Sequence, residues 1–178
     1  GGVFILEHSW IPHARYERDK NPERIRKWEH DGEVTIIPGD YVDYSYVLDW
    51  FNEQAQKYDI TIIRYDPAKA IRLNKELEEA GFETDKVRQG FFTLGGAMQN
   101  FKELLLDGKV VFNEQSMFKW YLNNVHLRQD RNDNWLPTKT SQSRKIDGFA
   151  AALDAHVSVV DMLVEPDNGG PASMYISF

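Results

Sequence analysis

Residues 60 to 65, Ile-Thr-Ile-Ile-Arg-Tyr, form a short β-branched run with Asp66-Pro67 directly behind it. β-branched side chains sit well on a pleated surface, so the run reads as a buried strand. An aspartate followed by proline reads as a helix cap with proline in the first helical position. Apolar residues then recur at helical spacing, Ala70, Leu73, Leu77 and Ala80, and the pattern stops at Gly81. The same unit occurs just upstream. Val34 to Ile37 is a short strand closed by Pro38-Gly39, and Asp43 caps a helix carrying Val47, Leu48, Phe51, Ala55 and Tyr58. Strand, cap and returning helix in alternation specify an α/β domain.

The rest of the chain fits around these two units. Val3 to His8 reads as a strand, and the charged stretch from Pro12 to His30 as one or two short helices with Tyr16, Ile25 and Trp28 inward. Phe82 to Val87 is a further strand candidate. A loop containing Gly90, Gly95 and Gly96 leads to a helix with Met98, Phe101 and Leu105 on its apolar face. Lys109 to Phe112 is extended, Glu114 to Asn124 helical, and Val125 to Gln129 with Trp135 to Pro137 form two strands around a polar turn. The strongest helical signal runs from Ile146 to Val164, with Phe149, Ala150, Leu153, Val157 and Val160 on a broad apolar face. These elements give one domain over 1–164 with a mixed sheet. The breaker-rich stretch from Glu165 makes 165–178 a tail or linker.

Composition narrows the chemistry. The 178 residues contain no cysteine, which removes disulfides, thiolate-bound metals and cysteine nucleophiles. Phosphate-loop, dinucleotide, serine-elbow and HExxH signatures are missing, and the five histidines are scattered without a metal-binding spacing. The early apolar run is too short for a signal core or membrane span, so the expected compartment is the cytoplasm. A net charge of −7 opposes nucleic acid overall, so phosphate binding needs a local basic patch or bound cations. Such a patch exists. Between Lys119 and Lys145 there are six basic residues against two acidic ones, including Arg128, Arg131, Lys139, Arg144 and Lys145. The alternative for this segment is ordinary solvated surface, and for Trp120, Tyr121 and Trp135 nearby, core packing.

Two carboxylates stand out by position. Asp66 follows the buried strand, and Asp147 opens the long final helix. Ligands of open α/β sheets gather at the carboxyl ends of strands, and magnesium or manganese takes carboxylate oxygens while keeping water. From position alone, an ordinary helix cap that also suits the helix dipole is the leading reading of an aspartate at either place. Asp40 and Asp43 flank a turn, and Asp154 lies two helical turns beyond Asp147, about 10 Å along the axis, too far to share one ion directly.

The ordered set Trp10-Ile11-Pro12, Pro38-Gly39-Asp40-Tyr41-Val42-Asp43-Tyr44, Tyr65-Asp66-Pro67, Gln89-Gly90-Phe91 and Lys145-Ile146-Asp147-Gly148-Phe149-Ala150-Ala151 resembles the C-terminal nuclease domain of the large terminase subunit of tailed bacteriophages and prophages. The resemblance implies a ribonuclease H-like mixed sheet flanked by helices. It implies a metal-dependent endonuclease that cuts double-stranded viral DNA concatemers during packaging in the bacterial host cytoplasm. It also implies Asp66 and Asp147 as catalytic metal ligands for Mg2+ or Mn2+, two ions in all, with the small terminase subunit and the portal protein as partners. The family's first acid lies on an opening strand, which the resemblance places before Val3, and its ATPase domain lies further upstream; on this reading the chain is N-terminally truncated. Lys145 would steady a phosphate. Two other readings stay open: a non-catalytic DNA-gripping or docking module of a packaging motor, and another ribonuclease H-like nuclease of resolvase or integrase type.

Overall fold

A computed structural model of the protein describes residues 1–164 and the backbone of residues 174–177. Nine strands and seven helices appear in these residues. The strands pair in both senses, as a mixed α/β architecture requires, but as four small ladders. Strand β1 (Val3–Phe4) runs parallel to β6 (Val110–Val111), and β2 (Ser9–Pro12) parallel to β3 (Val34–Ile37). Strand β4 (Ile60–Tyr65) is central in a parallel set, between β5 (Thr84–Lys86) and β9 (Met174–Ser177). The antiparallel pair is the hairpin of β7 (His126–Gln129) and β8 (Trp135–Thr138).

The helices are α1 (His13–Glu17), α2 (Pro22–His30), α3 (Tyr44–Ala55), α4 (Ile71–Glu79), α5 (Phe91–Leu106), α6 (Ser116–Asn124) and α7 (Asp147–Val164). Asp43 caps α3 as its sequence position suggests, accepting from the Ser45 N–H at 3.0 Å, and this bond holds its carboxyl below the usual range. The larger core joins α2, α5, α6 and α7 through Trp28, Phe101, Phe118, Phe149 and Leu153; a smaller one joins α3, β4 and α4 through Phe51, Ile63 and Leu77.

Several expectations change. Val3 to His8 is not one strand: β1 ends at Phe4, and Trp10 to Pro12 belong to β2. Gly95 and Gly96 lie within α5, not in a loop before it. The reason at Gly95 is packing, since a Cβ there would lie 3.2 Å from the Asn134 side chain beside the β7–β8 hairpin. Asp66-Pro67 does not open α4. The Asp66 carboxylate accepts from the Ala68 N–H at 2.9 Å and its carbonyl from Lys69 and Ala70, so the residues form a separate turn before the helix begins at Ile71. Within the expected tail, Met174–Ser177 is a strand beside β4; the remainder lies outside the described residues.

Candidate active site at the head of the last helix

Helix α7 carries one expected ligand at its first residue. Its buried face, Phe149, Leu153 and Val157, packs into the larger core and leaves Asp147 exposed at the N-terminus. Two features fix that end. The Asn124 amide, at the last residue of α6, donates to the Lys145 carbonyl at 2.8 Å. Gly148 lets the backbone come so close to α6 that a Cβ there would lie 2.5 Å from the Tyr121 ring and 3.1 Å from Glu7 Oε1. Asp147, Gly148 and Lys145 line a cavity of about 1500 Å³ whose walls also include Glu7, Ser9, Arg15 and Tyr121.

Glu7 has no signal in periodicity or motif, and it is the most perturbed carboxylate at this cavity. It is 8 % exposed. Its backbone is held from both sides by Gln115, whose Oε1 accepts from the Glu7 N–H at 2.9 Å and whose Nε2 donates to the Glu7 carbonyl at 2.8 Å. The Ser9 hydroxyl donates to Oε1 at 2.5 Å and lies 3.1 Å from the Tyr121 hydroxyl. Oε2 is buried with no hydrogen-bond partner among the described residues. Burial raises the carboxyl to about 7, against the opposing effect of the Ser9 hydroxyl and with the help of nearby Glu33. Burial also raises the Tyr121 phenol, reinforced by Glu7. Glu33 itself accepts from Ser116 N, Ser116 Oγ and Met117 N, and so caps α6 from a distant part of the chain.

Asp66 lies half-buried in the turn after β4 and is not among the residues lining this cavity. Its acidic neighbour is Asp154, buried on α7. Burial raises Asp154 to about 6, and the charge of Asp66 adds to the shift; the Gln89 amide, donating at 3.1 Å, opposes it. Thus the Gln89 of the Gln-Gly-Phe motif reaches the final helix. Among the described residues no three His, Asp or Glu side chains converge on one point as a metal cage. The donors nevertheless suit a hard divalent cation, which is commonly held by one or two carboxylates together with water and substrate phosphate.

The basic candidates separate. Lys145 is on the cavity wall. Arg128 is exposed on β7, its guanidinium 5.1 Å from the Phe91 ring centroid; Arg131 lies in the hairpin turn, and Lys139 and Arg144 are exposed after β8. Trp120 packs on Trp28 with Arg24 over its ring at 4.6 Å, and Tyr121 is buried, so these two aromatics serve the core. His156, also buried, sits 2.9 Å from Asn100 Oδ1 as a satisfied core histidine.

The sequence profile of the family described as "Terminase large subunit, endonuclease domain" matches residues 1–161. The chain is 25% identical over 155 residues to the terminase large subunit of Enterobacteria phage HK97, covering 84% of this chain and 31% of that protein. It is 24% identical over 159 residues to Protein YmfN of Escherichia coli strain K12, covering 85% and 35%, and 27% identical over 137 residues to the terminase large subunit of Lactococcus phage SK1, covering 71% and 25%. The chain therefore spans about a third or less of the length of these relatives. The crystal structure of the HK97 large terminase shares the fold, with a TM-score of 0.74 at 24% identity, over 84% of this chain and 32% of that one. A profile match over nearly all of the described residues, on a fold shared with a solved large terminase, makes this chain a member of the terminase large subunit endonuclease domain family.

Proposed function

We propose that the chain is the catalytic part of a divalent-metal-dependent endonuclease that cuts double-stranded DNA concatemers during genome packaging. The observation that carries this reading is Asp147, exposed at the fixed head of α7 on the wall of an open cavity of about 1500 Å³. Asp147 and Asp66 are the carboxylates that would hold Mg2+ or Mn2+. When bound, such ions supply an acidified water and charge stabilisation for the leaving oxygen. The chain's own residues orient and attract. Asn124 and Gly148 fix where Asp147 stands, and Lys145 on the cavity wall attracts the backbone phosphate. Arg128, Arg131, Lys139 and Arg144 extend the attraction along the duplex as contacts to phosphate, which carry no base information. The small terminase subunit and the portal ring are the proposed partners of the whole protein.

Plasmid cleavage by the chain in manganese tests the reading, with Asp66→Ala and Asp147→Ala beside it. The expected result is nicking and linearisation by the chain and a loss of at least about 100-fold in each variant. Unchanged cleavage in both variants contradicts the assignment. Duplex binding without cleavage by any of the three supports the docking-module reading instead.

A further inference from the structure

The head of α7 faces a second carboxylate. Glu7 is buried and is clamped through its backbone by Gln115, and its Oε1 is oriented by Ser9. That oxygen lies against the first turn of α7, 3.1 Å from the Cβ position of residue 148. Oε2 has no hydrogen-bond partner among the described residues. A carboxylate oxygen withdrawn from water and left without a donor is costly, and a cation or a proton relieves it. Glu7 and Asp147 line the same cavity, and the hydroxyls of Ser9 and Tyr121 add neutral oxygens beside them. The charged groups nearby are Glu33, Arg15 and Lys145. Glu33 is already committed to the α6 N-terminus. Asp147 is the exposed member of the pair and Glu7 the buried one, and magnesium and manganese are commonly held by one or two carboxylates completed by water and substrate phosphate.

We propose that Glu7 and Asp147 together ligate one divalent cation, so that Glu7 is a metal-binding acid of this chain in addition to the two aspartates. The proposal rests on the metal-dependent nuclease reading and names a ligand for it. Manganese binding to the 178-residue chain, followed by the electron paramagnetic resonance signal of free Mn2+, is the test. Glu7→Gln and Asp147→Asn are each expected to weaken binding by at least about tenfold, the lower end of what losing even a hydrogen-bond partner of a metal ligand costs. The double variant is expected to be little weaker than either single one, because both groups serve the same ion.

A wild-type measurement removes dependence on the variants folding. Substoichiometric Mn2+ is expected to broaden the backbone amide resonances of Ser9 and Gly148 first. Wild-type affinity in Glu7→Gln, with binding lost in Asp147→Asn, overturns the role of Glu7 and leaves the nuclease reading standing. Broadening centred on the Asp66 turn with Ser9 unaffected overturns it as well. If the wild-type chain binds no Mn2+ at millimolar concentration yet cuts DNA with Asp147 required, the cation site is wrong and the nuclease assignment survives. Absence of both binding and cleavage defeats the two together.

Discussion

His156 lies in the core with Nε2 2.9 Å from Asn100 Oδ1 and its ring 5.3 Å from that of Phe101, an arrangement that asks for the neutral imidazole donating from Nε2. Burial lowers its pKa from 6.5 to about 4. The unfolded chain therefore takes up a proton before the folded one does. The stability that His156 contributes is present above pH 6.5 and is lost as pH falls toward 4, a loss of about 3 kcal/mol. Urea melts of wild type and His156→Gln should show a stability gap that is widest at pH 7 and narrows by that amount at pH 4. A constant gap contradicts it. Asp154 and Glu7, raised by burial, act in the opposite direction over the same range, which is why the difference between the two proteins is the quantity to follow. Gly148 is the other decisive residue. A methyl group there meets the Tyr121 ring at 2.5 Å, so Gly148→Ala should cost about 1–3 kcal/mol in a thermal or urea melt. Gly96 lies inside α5, and a Cβ at that position has no neighbour within 4 Å. It should respond in the opposite sense, Gly96→Ala stabilising by about 0.5–1 kcal/mol through helix propensity.

Helix α7 and strand β4 are the elements on which the site depends, and Arg64 joins them. From β4 its Nε donates to Ser158 Oγ at 2.8 Å, one terminal nitrogen pairs with Asp85 on β5 at 2.5 Å, and the other with Asp161 on α7 at 2.9 Å. The guanidinium is mostly buried while both aspartates are largely exposed, so the geometry of the fork contributes more than the net charge. Arg64→Lys keeps the charge but cannot span three partners. It should lose about 1–2 kcal/mol, nearly as much as Arg64→Ala, in a urea melt; full rescue by lysine argues against the fork. At this scale the sequence was informative wherever local chemistry decides. The β-branched run of β4, the Asp43 cap of α3, the hairpin around Asp130 to Asn134 and the apolar face of α7 all formed as their residues suggest. Local reading failed where distant packing decides. Gly95 resembles a loop residue until Asn134 is seen against it. Asp66 differs for a local reason, since its carboxylate closes a separate turn with Ala68 instead of capping α4. Glu7 had no local signal at all, because what singles it out is burial beside Tyr121 and α7, more than a hundred residues away.

Over the whole molecule the charge is −7, so any contact with DNA phosphates has to come from a local basic patch or from bound cations. If the hairpin and the segment after it track the backbone, neutralising Arg128, Arg131, Lys139 and Arg144 together should reduce the slope of log affinity against log salt, by about one for each phosphate that is no longer paired. Fluorescence anisotropy of a labelled duplex from low to moderate salt measures it, and an unchanged slope places those residues on idle surface. No helix among the described residues is long and apolar enough to cross a membrane. The resemblance of the motif set and the family match agree over nearly the same span, whereas the grouping of acids around α7 became visible only in three dimensions. The central claim is that Asp147 serves phosphodiester cleavage rather than grip. Single-turnover cleavage of a labelled duplex in manganese, at protein concentrations where anisotropy shows the wild type and Asp147→Asn equally bound, tests it most directly. Cleavage by the wild type is expected, with a rate at least about 100-fold lower in the variant. Equal rates at equal occupancy contradict the claim.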